Sequence, residues 1–245
     1  MTMEFIRGLN AGQNVRSFVR RLFSGGRTEE DHDHYYGDAA KGYLAKRLKQ
    51  ESWHREQAIV QAMLDPLPDG IRVLDVPFGT GRFVDMYLAK GMSVHGIDIS
   101  KDMLDAAHEA LGEKYEHCDV RQGSADALPY QNGYFDLAVC FRFFGLISLD
   151  LGHRVLAELR RVTSGSIIIR VPVRKAGAPL LPPPKGSEPI QGRFYENQVL
   201  EMFARYGFEM YDRRVINERE HVEFVVYGLS NRTDKRSGSG GGSSD

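Results

Sequence analysis

Residues 73–83, Val-Leu-Asp-Val-Pro-Phe-Gly-Thr-Gly-Arg-Phe, constrain the fold more than any other stretch of the chain. An apolar strand ends in an acid, passes through a turn carrying two glycines and enters helix-forming sequence. Without a Cβ, Gly79 and Gly81 let backbone amides come close to a ligand and let φ go positive where the turn is tightest. Glycine also marks ordinary strand-to-helix turns, so the motif alone leaves the ligand open. Its spacing says more. A dinucleotide fingerprint reads G-x-G-x-x-G and grips a pyrophosphate at a helix N-terminus, whereas here a G-x-G follows the strand's last acid, Asp75, by four residues. That arrangement suits a ligand with an amino-acid group and no phosphates. Pro77 has no amide proton and a φ fixed near roughly −65°, so ligand-holding amides are expected from Phe78, Gly79, Thr80 and Gly81.

The rest of the chain continues the strand-to-helix rhythm. Strands are predicted near Arg72 to Asp75, Ser93 to Asp98, Tyr115 to Gln122, Phe135 to Phe141 and Ser166 to Val173. Helices are predicted over Tyr43 to Met63, Phe83 to Lys90, Lys101 to Leu111, Gly152 to Val162 and Glu196 to Tyr206. Such alternation implies an α/β fold with a parallel sheet and helical crossovers. Two β-rich runs, Phe208 to Ile216 and Val222 to Leu229, then predict an antiparallel pair.

Three acids follow or open successive strands. Asp98 lies about twenty residues beyond the glycine turn, the offset at which a doubly wound sheet places a carboxylate for ribose hydroxyls; it could also serve as a helix cap, although Ser100 is better suited to cap the helix at Lys101. Asp126, in Gly123-Ser124-Ala125-Asp126-Ala127-Leu128-Pro129-Tyr130, and Asp136, in Tyr134-Phe135-Asp136-Leu137, could each be turn acids.

Taken together, Asp75 to Gly81, Ser93 to Asp98 and Asp126 to Val139 resemble the class I S-adenosylmethionine-dependent methyltransferases. The family's first motif is usually D/E-x-G-x-G-x-G, and here Pro77 replaces the first glycine. Asp126-Ala127-Leu128-Pro129-Tyr130 and Phe135-Asp136-Leu137-Ala138-Val139 are similar to the family's D-A-x-x-L-P-F and F-D-x-V, with a shortened gap before Leu-Pro. The resemblance implies a Rossmann-like, mostly parallel seven-stranded sheet with helices on both faces and a C-terminal antiparallel strand pair. It implies S-adenosyl-L-methionine as cofactor, held by Asp75, Phe78, Gly79, Thr80, Gly81, Asp98, Ile99, Asp126 and Ala127. The segment Tyr35 to Tyr43 with Arg47 is similar to the Y-D-x-x-A-x-x-Y-x-x-x-R entrance of small-molecule members, making Tyr36 and Tyr43 candidate lid residues or ordinary docking aromatics.

Methyl transfer from a sulfonium needs mainly an acceptor held in line and water excluded; a base is required only for some acceptors. Cys140-Phe141-Arg142-Phe143-Phe144-Gly145 ends the fourth strand on the edge where ligands collect in this architecture. Arg142 could pair with an acceptor carboxylate or phosphate, Phe143 and Phe144 could wall a pocket, and Phe141 reads first as core. His153 is a weaker catalytic candidate, read mainly as a solvated helix residue. The Asn/Asp-Pro-Pro-Tyr/Phe motif that similar enzymes use on exocyclic base amines and the Pro-Cys nucleophile of the pyrimidine-C5 kind are both missing, which disfavours nucleic-acid bases as acceptors; the expected reaction is methyl transfer to oxygen or nitrogen of a small molecule, ahead of carbon. A binding or scaffold protein keeping the fold without catalysis is the alternative.

The chain divides into a basic N-terminal extension and polar linker over 1–34, a methyltransferase domain over 35–230 and a Gly/Ser-rich tail over 231–245. A formal net charge of −1 over 245 residues gives no global attraction to nucleic acid or anionic membranes. Cys118 and Cys140 have no metal or redox spacing, and the reading is a reduced, cytoplasmic protein with no metal. Asp31-His32-Asp33-His34 is too short and polar a run to impose metal geometry. Val15, Phe18, Val19, Leu22 and Phe23 form one apolar stripe if residues 14–23 are helical, with Arg16, Arg20 and Arg21 off it. The stripe packs on the protein's own core, or it serves as a peripheral membrane, partner-docking or mitochondrial targeting segment. The proline-rich run between Lys175 and Gly192 is expected to border the acceptor site as an extended loop.

Overall fold

The computed structural model describes residues 38–179, 194–218 and 221–231. Tyr36, the segment 14–23, the acidic-histidine run and Pro182 to Pro184 lie outside the described residues.

The chain begins with α1 (Asp38–Leu48) and α2 (Glu51–Leu64). The single helix predicted from Tyr43 to Met63 is divided, because Gln50 adopts an extended conformation (φ −94°, ψ 126°) while its side chain accepts from Arg47. No glycine or proline marks this break. Next come β1 (Arg72–Asp75), α3 (Val84–Ala89), β2 (Ser93–Asp98), α4 (Lys101–Leu111), a 3-10 turn over Gly112–His117 and β3 (Cys118–Gln122). The strand expected from Tyr115 starts only at Cys118. Tyr115 instead makes edge contacts with Phe78 and His108, with ring centroids 6.4 and 5.0 Å away. The remaining elements are β4 (Phe135–Cys140), α5 (Leu149–Val162), β5 (Thr163–Arg174), α6 (Glu196–Arg205), β6 (Phe208–Glu218) and β7 (Val222–Asn231).

Seven strands form one sheet in the order β3-β2-β1-β4-β5-β7-β6. The first five are parallel to one another, and β7 inserts antiparallel between β5 and β6. Alternation along the strands feeds two cores: Ala138, Cys140, Ile167 and Ile169 pack with α5 and α6, whereas Leu137, Val139 and Ile168 pack with α2, α3 and α4. Both sheet faces are therefore covered by helices, as buried parallel strands require. Chain order reverses between β1 and β4, and the crevice at the carboxyl ends of these strands is where such sheets bind ligands.

One close approach holds the first turn in register. Phe78 lies flat where a side chain on Gly96 of β2 would stand; a Cβ there would fall 2.4 Å from the Phe78 ring. Gly96→Ala is expected to lower stability by about 1 to 3 kcal/mol through overpacking, with partial recovery when Phe78→Leu is added. Urea denaturation of the two variants checks this, and an unaltered midpoint for Gly96→Ala would refute it.

Candidate active site

The turn after β1 uses its glycines as the sequence demands: φ is 57° at Gly79 and 66° at Gly81, values that cost little only without a Cβ. Its amides, however, are mostly committed within the fold. Phe78 donates to the Ile97 carbonyl at 2.8 Å, Gly81 to the Phe78 carbonyl at 3.0 Å, and Gly79 to Asp98 Oδ2 at 2.8 Å. Among the described residues, only the Thr80 amide of the four has no acceptor. Of the four amides expected to hold a ligand, three are thus satisfied within the fold, and the Thr80 amide is left open.

Asp98 is the other half of this arrangement. Its carboxylate is buried and accepts from Gly79, from the Ser100 amide at 2.9 Å and from the Ile99 amide. It is not the cap of α4, since Ser100 Oγ accepts from the Met103 amide at 3.3 Å. A carboxylate offers about four lone-pair sites, so three amides leave capacity for a ligand hydroxyl. Burial raises its pKa to about 6, against the pull of those amides. Asp75 is raised well above the usual carboxylate range by burial, despite the Tyr87 hydroxyl at 3.2 Å and the Arg82 charge.

These groups line one cavity that is partly open to solvent. Asp75, Phe78, Gly79, Thr80, Asp98 and Ile99 contribute to it, as do Arg142 and Phe143 from the loop after β4. Phe141 also lines it, in addition to packing against the Phe83 ring at 5.1 Å. A smaller neighbouring cavity shares Pro77, Asp98, Ile99 and Phe143, and ends on Gly123, Ser124, Ala125 and Leu151. The two adjoin at the switch point, with Pro77, Asp98, Ile99 and Phe143 between them.

Four candidates are placed elsewhere. Phe144 is fully buried in the core beneath α5 and does not line the cleft. Asp126 is bound to Ser124 and to Arg154, whose Nε lies at 2.9 Å. Burial works to raise its pKa, but those hydrogen bonds and the arginine charge hold it lower. Ala127 is exposed and lines neither cavity, so this wall comes one to three residues earlier than expected. His153 Nδ1 pairs with the Tyr206 hydroxyl at 3.1 Å and lies outside the cleft. Of the lid candidates, Tyr43 falls within α1.

Sequence reasoning missed the opposite wall. Glu56 of α2 is fully buried and meets three arginines: Arg82 Nη1 at 2.5 Å, Arg142 Nε at 2.9 Å and Arg170 Nε at 3.1 Å. Desolvation pushes its pKa up, but the charges of Arg170, Arg82 and Arg142 outweigh that and hold it below the ordinary value. Trp53, one turn earlier, lies 3.7 Å beneath the Arg82 guanidinium and lines the cavity. The signal was available in the sequence: Glu56 occupies an apolar position of the stripe Trp53, Val60, Met63 and Leu64. Among the described residues, no group of His, Cys, Asp and Glu could hold a metal ion, and no helix is long and apolar enough to cross a membrane.

Comparison with known proteins agrees with this geometry. Residues 73–165 match the family model described as a methyltransferase domain. The chain is 29% identical over 172 residues to a demethylmenaquinone methyltransferase of Alkalihalophilus pseudofirmus, covering 67% of this chain and 66% of that protein. It is 31% identical over 102 residues to a malonyl-[acyl-carrier protein] O-methyltransferase of Pectobacterium atrosepticum, covering 41% and 37%. The chain spans 37% to 66% of the length of the curated relatives it matches. In fold it is similar to a Burkholderia thailandensis 1,6-didemethyltoxoflavin-N1-methyltransferase solved with S-adenosylhomocysteine. The TM-score is 0.57 at 17% identity, covering 89% of this chain and 87% of that one.

The raised Asp98 pKa has a consequence for stability. A carboxyl raised from 3.8 to about 6 contributes stability that is full below pH 4 and lost as pH rises through 6. Wild type is therefore expected to lose about 2 to 2.5 kcal/mol relative to Asp98→Asn between pH 4 and 7. Denaturant titrations at both pH values check this; a pH-independent difference would contradict it.

Proposed function

We propose that this chain, which belongs to the class I S-adenosylmethionine-dependent methyltransferase family, transfers the methyl group of S-adenosyl-L-methionine to a small-molecule acceptor. One observation carries the reading: the glycine turn, Asp98, the Gly123–Ala125 loop and the end of β4 all line two adjoining cavities at the sheet's switch point, which share Asp98 and Phe143. The residues fit the cofactor by their chemistry. Asp98 has a lone pair for a ribose hydroxyl, Ile99 and Ala125 offer apolar contact for an adenine ring, the Thr80 amide is available, and Asp75 can meet a cationic ammonium. In place of Asp126 and Ala127, Ser124 and Ala125 are assigned to the adenine end.

S-adenosyl-L-methionine supplies an activated methyl group. The protein's part is to orient acceptor and cofactor and to keep water out, which positioning of this kind can reward with roughly 7 to 11 kcal/mol. Trp53, Phe141, Phe143 and Leu146 provide a low-dielectric wall, and Arg142 provides a cation. No histidine lines the cleft among the described residues, and both acids there, Asp75 and Asp98, are buried. An acceptor that arrives already nucleophilic, such as a carboxylate, a phenolate or a free amine, needs no base. This favours oxygen or nitrogen as the methylated atom. Relatives named as both O- and C-methyltransferases are known, and carbon is the second choice. The thiols of Cys118 and Cys140 are unpaired by disulfide, which fits a cytoplasmic setting.

Calorimetry with S-adenosylmethionine and S-adenosylhomocysteine tests the reading, together with a search for a methylated product from methyl-labelled cofactor. Binding of both ligands is expected. Absence of both at millimolar concentration would favour a noncatalytic protein that keeps only the fold. Asp98→Ala is expected to weaken S-adenosylhomocysteine by about 2 kcal/mol, roughly thirtyfold in Kd, through loss of a charged acceptor. Unchanged affinity in the folded variant would remove Asp98 from the site.

A further inference from the structure

Arg142 is the one described non-glycine residue with a positive φ, 55°. That backbone region is costly for a residue with a Cβ, and persists where the surroundings enforce it. Two features do so here. The flanking Phe141 and Phe143 are buried, and the side chain is drawn back onto buried Glu56, with Nε 2.9 Å from Oε2. Glu56 thereby takes up one edge of the guanidinium. Among the described residues, the two Nη nitrogens have no acceptor, while the side chain remains 17% exposed and lines the cavity. The neighbouring surface is Trp53, Phe141, Phe143 and Leu146; the guanidinium carbon stands 5.8 Å from the Trp53 ring centroid, a cation–π contact, and none of these four side chains supplies an oxygen acceptor.

We infer that Arg142, aimed by Glu56, is a fork that receives a carboxylate of the bound ligand, with Glu56 as its positioning residue. The terminal Nη pair presents two parallel donors at the spacing of two carboxylate oxygens, and the apolar wall strengthens that pairing. Lysine would substitute only in part, because its single point charge lacks the fork. This rests on the cleft being the methyl-transfer site described above. Two sources of the carboxylate share this chemistry: the amino-acid end of the cofactor and an acidic group on the acceptor.

Titration calorimetry on the full chain separates them, using wild type, R142M and R142K, with thermal melting as a check on folding. The cofactor source is read from S-adenosylhomocysteine against 5′-methylthioadenosine, which lacks the amino-acid end. If it holds, R142M weakens the former by about tenfold and leaves the latter within about twofold. The acceptor source is read in protein saturated with S-adenosylhomocysteine, from 2-naphthoate against 2-naphthamide. If that holds, wild type prefers the carboxylate by about tenfold and R142M abolishes the preference. R142K should lie between wild type and R142M, and it carries the test should R142M melt below assay temperature. The inference is overturned if R142M keeps both wild-type ratios, even where it weakens S-adenosylhomocysteine and methylthioadenosine equally. Failure of wild type to bind either adenosyl ligand would instead sink the cofactor reading itself.

Discussion

A single buried carboxylate, Glu56, ties together the parts that surround the cleft. It reaches Arg82 in the first turn, Arg142 after β4 and Arg170 within β5, from a helix that precedes the whole sheet in sequence. Burying a charge is expensive unless it is paired, and removing one partner of such a group costs about 3 to 5 kcal/mol. The position of α2 is therefore coupled to the shape of the cavity. Trp53, on that helix, and Arg142, after β4, are thereby linked as walls of the cavity, while Val60, Met63 and Leu64 fix the helix to the core.

The first turn shows a complementary economy. A loop that simply presented four amides to solvent would be poorly defined before a ligand arrived. Here Asp98 and the Ile97 carbonyl take up Gly79 and Phe78, and the Gly81 amide closes onto Phe78. The turn is thereby preorganised, and ligand recognition falls to Asp98, the Thr80 amide and the cavity's shape. Preorganisation of this kind reduces the ordering cost of binding. Pro77, which lacks a donor, is compatible with such a turn because no amide is required of it.

The fold was largely legible because its signals are local. β1, β2 and α4 begin and end where apolar runs meet turn residues, and the antiparallel end pair follows from two consecutive β-rich runs. The site was legible where it lies on strand ends: Asp75, Gly79, Asp98 and Phe143 line the cleft. It was less so where long-range contacts decide. Asp126 is diverted by Arg154, twenty-eight residues away, His153 by Tyr206, and Phe144 by the depth of the core. Such partners are set by the packing of α5 and α6, which no local pattern states. Glu56 is the opposite case. A charged residue in an apolar stripe was visible, but its three arginines were scattered over 88 residues of sequence between Arg82 and Arg170.

The central claim is that one cleft, running from the Gly123–Ala125 loop past Asp98 to Arg142, holds an adenosyl ligand. Amide hydrogen exchange of the full chain with and without S-adenosylhomocysteine tests it most directly. The account predicts slowed exchange in segments 78–82, 97–100, 123–125 and 141–146 together, with little change along the outer strand β6. Protection confined to other segments, or none at saturating ligand, would contradict it.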